Sequence, residues 1–420
     1  MGAFPKVCPK DAEAQDRYLQ EPRDLGYSPS AAASYRQQPL VSGAQNIPLR
    51  GIHGGVHPFI PSFLSPKTAE INIGFAEDSP TVAVATMISR LPSLRPDLAF
   101  VTFYNLPKDP MITEAVSEML LACNREALQA FCVDSPLTEE ARDVVYRLRK
   151  LSSLGAIIQG STSLPTVELP NLTTIYVEYE GGLNWLEGFR GAMLKKLEFA
   201  VFRTEANHIG DFLGAFESVA LTASAQNTLS GLWFYTSRSW SPNYSSLLSF
   251  NQLKTVEIEF SCEGGCSSRL DDDIVVNLAR AMPKLEILRL GKAPCATPTG
   301  ITVNGLIALA CRCPRLSKLR IHFQASTLIE AATSATTPSP SHELVVRWED
   351  CDLTDLEVGK TPIPSQSELT VAHTLLQIFP RLLNIKGKNR NWKTVEKTIK
   401  DFRRIKGFVH RTSKAHPLHV

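Results

Sequence analysis

No apolar run in this chain approaches the ~18–20 residues needed to span a bilayer. The first residues, MGAFPKVCPKDAEAQ, lack the apolar stretch of a secretory leader. Lys6 stands where a myristoylation signal wants serine or threonine. Charge of one sign is lacking as well. The 44 Lys and Arg against 42 Asp and Glu leave +2 over 420 residues, so no global attraction to nucleic acid or to a membrane follows. The common hydrolase signatures, G-x-S-x-G and H-E-x-x-H, do not occur. No nucleophile stands with a base at a recognisable spacing. The expected location is cytoplasmic or nuclear, and the expected role is not enzymatic.

Paired cysteines are missing too. The nine cysteines are an odd, scattered set, which reads as reduced thiols rather than a disulfide framework. Cys262 and Cys266 are spaced C-x3-C, and Cys311 and Cys313 C-x-C; neither is a recurrent zinc-ligand pair. Cys311 and Cys313 fall on a helix and its end, where a free cysteine serves as a small hydrophobe. His53 and His57 bracket HGGVH in a segment without apolar period, where solvated histidines are the plainer reading. Gly359-Lys360-Thr361 resembles the end of a phosphate-binding loop, but Thr354 occupies the position that needs glycine. A turn is expected there. No metal and no cofactor is expected.

What the chain does have is a repeated phrase. AMPKLEILRL (281–290) returns as RCPRLSKLRI (312–321). The shared template is leucine, two residues, apolar, one residue, apolar. Leu285, Leu288 and Leu290 fit it, as do Leu316, Leu319 and Ile321. Upstream it recurs from Leu98, Leu128, Leu172, Leu194, Leu229 and Leu253, and downstream from Leu353. Leu154 with Ile157, and Leu382 with Ile385, are partial matches. The anchoring leucines lie 18–37 residues apart, around the roughly 20–29 of leucine-rich repeats. A proline stands two residues before the anchor at Pro96, Pro170, Pro283, Pro314 and Pro380. Proline ends a helix and biases its predecessor toward extended backbone, so each unit reads as helix, proline stop, short strand.

The helices show in the period. In DDDIVVNLARAM, Val275, Leu278, Ala279 and Met282 share one face, and in TVNGLIALACRC so do Leu306, Leu309, Ala310 and Cys313. MITEAVSEMLLAC (111–123) and LTEEARDVVYRLRKL (137–151) give two more amphipathic helices. Asp271, Asp272 and Asp273 could pass for a metal-binding acid cluster; their place at a helix start makes a cap the better reading. One unit cannot bury its apolar face alone, and stacking does so. The expected fold is α/β, a leucine-rich-repeat solenoid of irregular repeats, horseshoe-like, with parallel strands on the concave face and helices outside. The competing fold, a compact α/β hydrolase, would not need the repeated phrase.

GLIALACRCPRLSKLRI (305–321) resembles the cysteine-containing leucine-rich repeats of F-box proteins. LTDLEVGKTPIPSQSELTVAHTLLQIFPRLLNIKGKNRNWKTVEKTIKDF (353–402) resembles the last segment of fungal F-box/leucine-rich-repeat proteins. In those, a VG-x-(S/T)-P-I phrase precedes a helix, an FP-x-L repeat and a final helix carrying tryptophan. The resemblance covers most of residues 66–410. It implies a protein similar to the receptors that bring a substrate to a cullin-type (SCF) ubiquitin ligase. The family's helical F-box module is not recognisable in residues 1–65, so binding to the ligase adaptor is expected only when an F-box is supplied. The alternative is a repeat adaptor or scaffold with no ubiquitin link.

By composition, residues 1–65 read as a disordered N-terminal tail, 66–358 as the repeat array, and 359–420 as a last repeat with a capping helix and a basic tail. Residues 326–341 read as a polar, mobile insertion. The basic tail runs from Lys386 to Lys414 against only Glu396 and Asp401. Trp392 and Phe402 are too few to stack bases, so nucleic acid is not the expected partner. In a repeat strand, residues alternating with the apolar set point to the concave face. These are Thr102, Tyr104, Tyr176, Glu178, Glu198, Trp233, Tyr235, Glu257, Glu259, Arg289, Arg320 and His322. From Tyr176 to His322 they form the expected partner-binding set. Trp233 beside Tyr235 is the natural anchor, because Trp, Tyr and Arg dominate binding hot spots.

Overall fold

The computed structural model describes residues 46–52, 69–76, 79–159, 169–180, 193–201, 227–236, 244–260, 270–291, 299–333, 350–364 and 366–415. All of them belong to one unit that starts at Asn46. They form thirteen strands in a single parallel sheet whose spatial order is the chain order. The strands are β1 (Asn46–Ile52), β2 (Glu70–Phe75), β3 (Phe100–Tyr104), β4 (Ala130–Pro136), β5 (Ser153–Gln159), β6 (Thr174–Glu180) and β7 (Lys196–Val201). Then come β8 (Gly231–Thr236), β9 (Thr255–Phe260), β10 (Ile287–Leu290), β11 (Lys318–Arg320), β12 (Asp355–Gly359) and β13 (Asn384–Gly387).

The described connections carry helices α1 (Thr81–Leu94), α2 (Pro110–Ala122), α3 (Glu139–Val145) and α4 (Asp272–Ala281). They continue with α5 (Val303–Arg312), α6 (Ser326–Thr333), α7 (Glu368–Ile378) and α8 (Arg390–Ala415). Helices α4 and α5 each stop one residue short of a proline, with Met282 and Cys313 as C-caps. The proline then turns the chain into the leucine anchor, as its fixed φ and missing donor require.

The template maps onto one continuous core. The anchors Leu98, Leu128, Leu172, Leu253, Leu285, Leu316, Leu353 and Leu382 are fully buried. The next apolar positions form a row across the sheet: Val101, Phe131, Leu154, Ile175, Leu197, Leu232, Val256, Leu288, Leu319, Leu356 and Ile385 are paired strand to strand. All are buried. They face the helices, so one side of the sheet is core and the other carries the alternate residues.

A second, polar row holds the turns together. The carbonyl of the residue after each anchor accepts two backbone N–H groups from the next unit, as Ser152 O does from Thr173 and Thr174. Where that residue is Ser or Thr, its hydroxyl also bonds back to the preceding turn. Ser152 donates to Gln129 O (2.9 Å), Thr173 to Ser152 O (3.2 Å), Ser317 to Glu286 O (3.0 Å) and Thr354 to Ser317 O (3.2 Å).

The aspartates of 271–273 divide their work. Asp271 caps α4, accepting from Ile274 N at 3.0 Å. Asp272 reaches the next unit and accepts from Thr302 N (2.8 Å) and Gly305 N (3.0 Å) at the start of α5, where free amides and the helix dipole favour a carboxylate. A Cβ on Gly305 would stand 2.6 Å from the Asp272 oxygen, so glycine makes that approach possible.

The described cysteines are free. Cys313, at the end of α5, is fully buried and Cys311 nearly so. Burial pushes the Cys313 thiol up to about 12 and those of Cys123 and Cys351 up to about 11. They are core filling, protonated and unreactive.

Four expectations need correction. The unit at β5 is anchored by Leu151, which is fully buried, with Leu154 and Ala156 following; Ile157 points to the other face. The small Ala156 hid the third apolar position. The sheet begins at Asn46, inside the stretch read as a tail, because Ile47 and Leu49 pair with Ile71 and Ile73. Neither of those two strands has a leucine anchor: Ala44 and Thr68 hold the positions. The helix expected over 137–151 is only Glu139–Val145, since Leu151 must turn into the strand at Ser153. Part of the insertion expected over 326–341 is helix α6, with Leu328 fully buried. Its serines and threonines masked a buried residue that docks it.

Candidate partner-binding face

The fourth residue after each anchor falls on the side of the sheet away from the helices. Strand register links these residues into one transverse row: Thr102, Cys132, Gly155, Tyr176, Glu198, Trp233, Glu257, Arg289, Arg320, Glu357 and Lys386. Neighbouring strands stand about 4.8 Å apart, so each residue has the next beside it. The sixth residue after the anchor gives a second row, in which Glu178, Tyr235 and Glu259 sit on β6, β8 and β9.

Trp233 lies between two core residues of its strand. Leu232 and Phe234 are buried at 1% and 2% exposure, while Trp233 is half-buried. The in–out assignment on β8 is therefore the expected one. Its indole folds back over Gly231, where a Cβ would come within 2.4 Å of the ring. Absence of a side chain at Gly231 leaves room for the ring to lie back over it. Tyr176, two strands away in the row, is likewise half-buried. The strand positions of Glu178, Glu198 and Tyr235 are those expected, and their side chains lie outside the described residues, as do Cys262, Cys266, His53 and His57.

The charges from Glu257 to Glu357 are spent internally. Arg289 Nη1 stands 2.9 Å from Glu257 Oε2, and that carboxylate is nearly buried. Arg320 Nε stands 2.8 Å from Glu357 Oε2, and its Nη1 pairs with Glu259. Glu259 and Arg320 are two strands apart, and the intervening unit offers Gly291 at that level, with no side chain to block them. Burial opposes the Arg320 charge, and the carboxylates of Glu259 and Glu357 more than offset it, so its pKa is raised. These acidic and basic residues thus close into a network, and a partner meets paired charges there. Breaking one pair would leave a poorly solvated charge, which costs more than the pair contributes.

His322 is placed differently from the expectation. It follows β11 and is buried over Gly359, where a Cβ would meet its Nε2 at 2.4 Å. Gly359 has φ +57, a left-handed conformation that favours glycine. Thr361 N then bonds to Val358 O at 3.1 Å. Gly359-Lys360-Thr361 is therefore a turn.

Glu357 was absent from the expected set, although it stands four residues after Leu353 as Arg320 does after Leu316. Counting from the anchor finds it. Among the described residues, no group of three His, Cys, Asp or Glu stands close enough to hold a metal, and no helix is long and apolar enough to cross a membrane.

The stacked units, the repeated leucine anchor and the all-parallel sheet in chain order define an α/β leucine-rich-repeat solenoid. No protein-family model and no curated protein matches the chain. Among solved structures, a leucine-rich-repeat protein of Leptospira interrogans is similar to it over 86% of each chain, at 11% sequence identity and a TM-score of 0.39.

Proposed function

We propose that this chain is a binding module, not an enzyme, which recognises a protein partner around Trp233, on the side of its sheet away from the described helices. The observation that carries this is the seating of the half-buried indole on Gly231, on a strand whose flanking residues are core. A flat, preplaced aromatic ring gives large contact area at small entropic cost. With Tyr176 and Glu198 in the same row, it suits a partner segment of apolar and basic side chains.

Trp233→Ala should weaken partner binding by about 2 kcal/mol while leaving the melting temperature unchanged. Gly231→Ala pushes the same ring off its seat and should weaken binding as well. Phe234→Ala should instead lower the melting temperature through a core cavity. Titration calorimetry and thermal melts on the three variants check this. If Trp233→Ala destabilises the fold as Phe234→Ala does, the indole is core and the site is elsewhere.

The finer reading is a substrate receptor-like component of a cullin-type ubiquitin ligase. Its support is the resemblance of residues 353–402 to fungal F-box/leucine-rich-repeat proteins. On this reading, a fusion carrying an F-box ahead of Asn46 binds the ligase adaptor, and the chain without one does not. Adaptor pull-down with both forms is the measurement. A fusion that fails to bind favours the second reading, a plain repeat scaffold.

A further inference from the structure

The last unit gathers several cations that have no ion pair among the described residues. From Leu369 to Val395 there is no aspartate or glutamate, while Lys386, Lys388, Arg390 and Lys393 all fall in that stretch. Lys386 and Lys388 stand four and six residues after the anchor Leu382, the positions that face away from the helices. Lys388 N donates to Gly359 O at 2.7 Å, which sets it beside Lys360 on the turn after β12. Arg390 and Lys393 open α8, one turn apart and so on one side of it. All five side chains are exposed.

None of the five has an ion pair among the described residues. Two carboxylates approach only the inner edge. Glu357 is opposite Lys386 and already bound to Arg320, and Asp355 accepts from Thr354 and Asn384. Three other cations of the C-terminal segment are matched: Arg381 with Asp352, Lys400 with Glu396, and Arg404 with Asp401. Lys386 and Lys388 at the last strand, Lys360 on the adjoining turn, and Arg390 and Lys393 at the start of α8 are thus neighbours in the fold, and like charges so placed repel one another. The start of α8 adds its dipole to the same field. An external anion relieves that repulsion.

The anion is not a nucleic acid on these observations. Trp392, the aromatic residue nearest the cluster in sequence, is fully buried with its Nε1 donating to Thr361 O at 2.7 Å, so it offers no ring for a base to stack on. The cluster is also compact rather than a long stripe along a backbone track. We propose that Lys360, Lys386, Lys388, Arg390 and Lys393 form a docking surface for an acidic segment, a run of aspartate and glutamate, on a protein partner. This surface is separate from Trp233 and does not depend on it.

The test is fluorescence anisotropy on the full chain with a labelled peptide of about ten residues alternating glutamate and serine. At about 50 mM salt the peptide binds, and Lys388→Glu with Arg390→Glu weakens it about tenfold or more. Raising salt to about 200 mM weakens it by a similar factor. Trp233→Ala leaves it unchanged. The milder pair Lys388→Gln with Arg390→Gln, with melting temperature recorded, gives a smaller loss in a folded protein. The proposal fails if the peptide does not bind, if the charge-reversed protein binds equally well, or if duplex DNA of matched charge binds about tenfold tighter than the peptide.

Discussion

Leu319→Asp unfolds the C-terminal half of the array. Leu319 is buried at 2% exposure on β11, with Leu288 on one side and Leu356 on the other in the core row. The substitution removes a leucine whose burial contributes about 1.5–3 kcal/mol. It also puts a carboxylate where no cation can reach it, which costs several kcal/mol more. Each unit rests on its neighbours, so the damage spreads through the interfaces with β10 and β12. Urea unfolding followed by circular dichroism should lose much of its cooperative transition, and limited proteolysis should open sites in the last units. Leu383→Asp is the control. Leu383 is 41% exposed and adjoins the anchor Leu382, so the same chemical change there should be nearly silent. Equal melting of the two variants would overturn the repeat register.

Trp392→Ala should cost about 3–5 kcal/mol, the range for large aromatic residues cut out of a core. In the last unit, the position that holds the third apolar residue is Gly387, and the indole of Trp392 fills that space. A Cβ on Gly387 would stand 2.6 Å from its Cγ. The ring packs edge-to-face on Phe323, with centroids 6.0 Å apart. Trp392, Val395 and Ile399 are all fully buried, so this face of α8 closes the sheet at β13. With the tryptophan gone, Thr361 O loses its donor and the last strand loses its cover. An uncovered parallel edge invites pairing with another chain. The expected readings are a lower urea midpoint and self-association by light scattering. Lys393→Ala, exposed on the same helix, should change neither.

These two sites show what could be read in the residues and what could not. The leucine anchors were legible because they recur with prolines before them, and every anchor from Leu98 to Leu382 is core. Trp233 as the outward residue of β8 was legible from alternation alone. Trp392 was not, because it fills a gap in a repeat from a separate helix, and only the missing third apolar residue at Gly387 hints at it. Leu151 was displaced to Leu154 by the small Ala156, and β1 and β2 lack the leucine that marks a unit. The ion network around Arg320 was half visible. Its residues were on the face, but whether charges pair or stand open depends on side-chain reach across strands, which spacing does not encode.

The order of the strands has a mechanical consequence. Each strand is bonded only to the strands before and after it in the chain. A pull on the two ends therefore loads the sheet at its margins, one strand at a time, instead of shearing all strands together. Each release frees one unit, so the steps in a force–extension trace should track unit length, at up to roughly 3.3–3.6 Å per residue freed. The 21 residues from Leu151 to Leu172 and the 37 from Leu316 to Leu353 set the short and long ends of that spread. A chain built this way yields gradually under tension and can zip back from whatever remains folded.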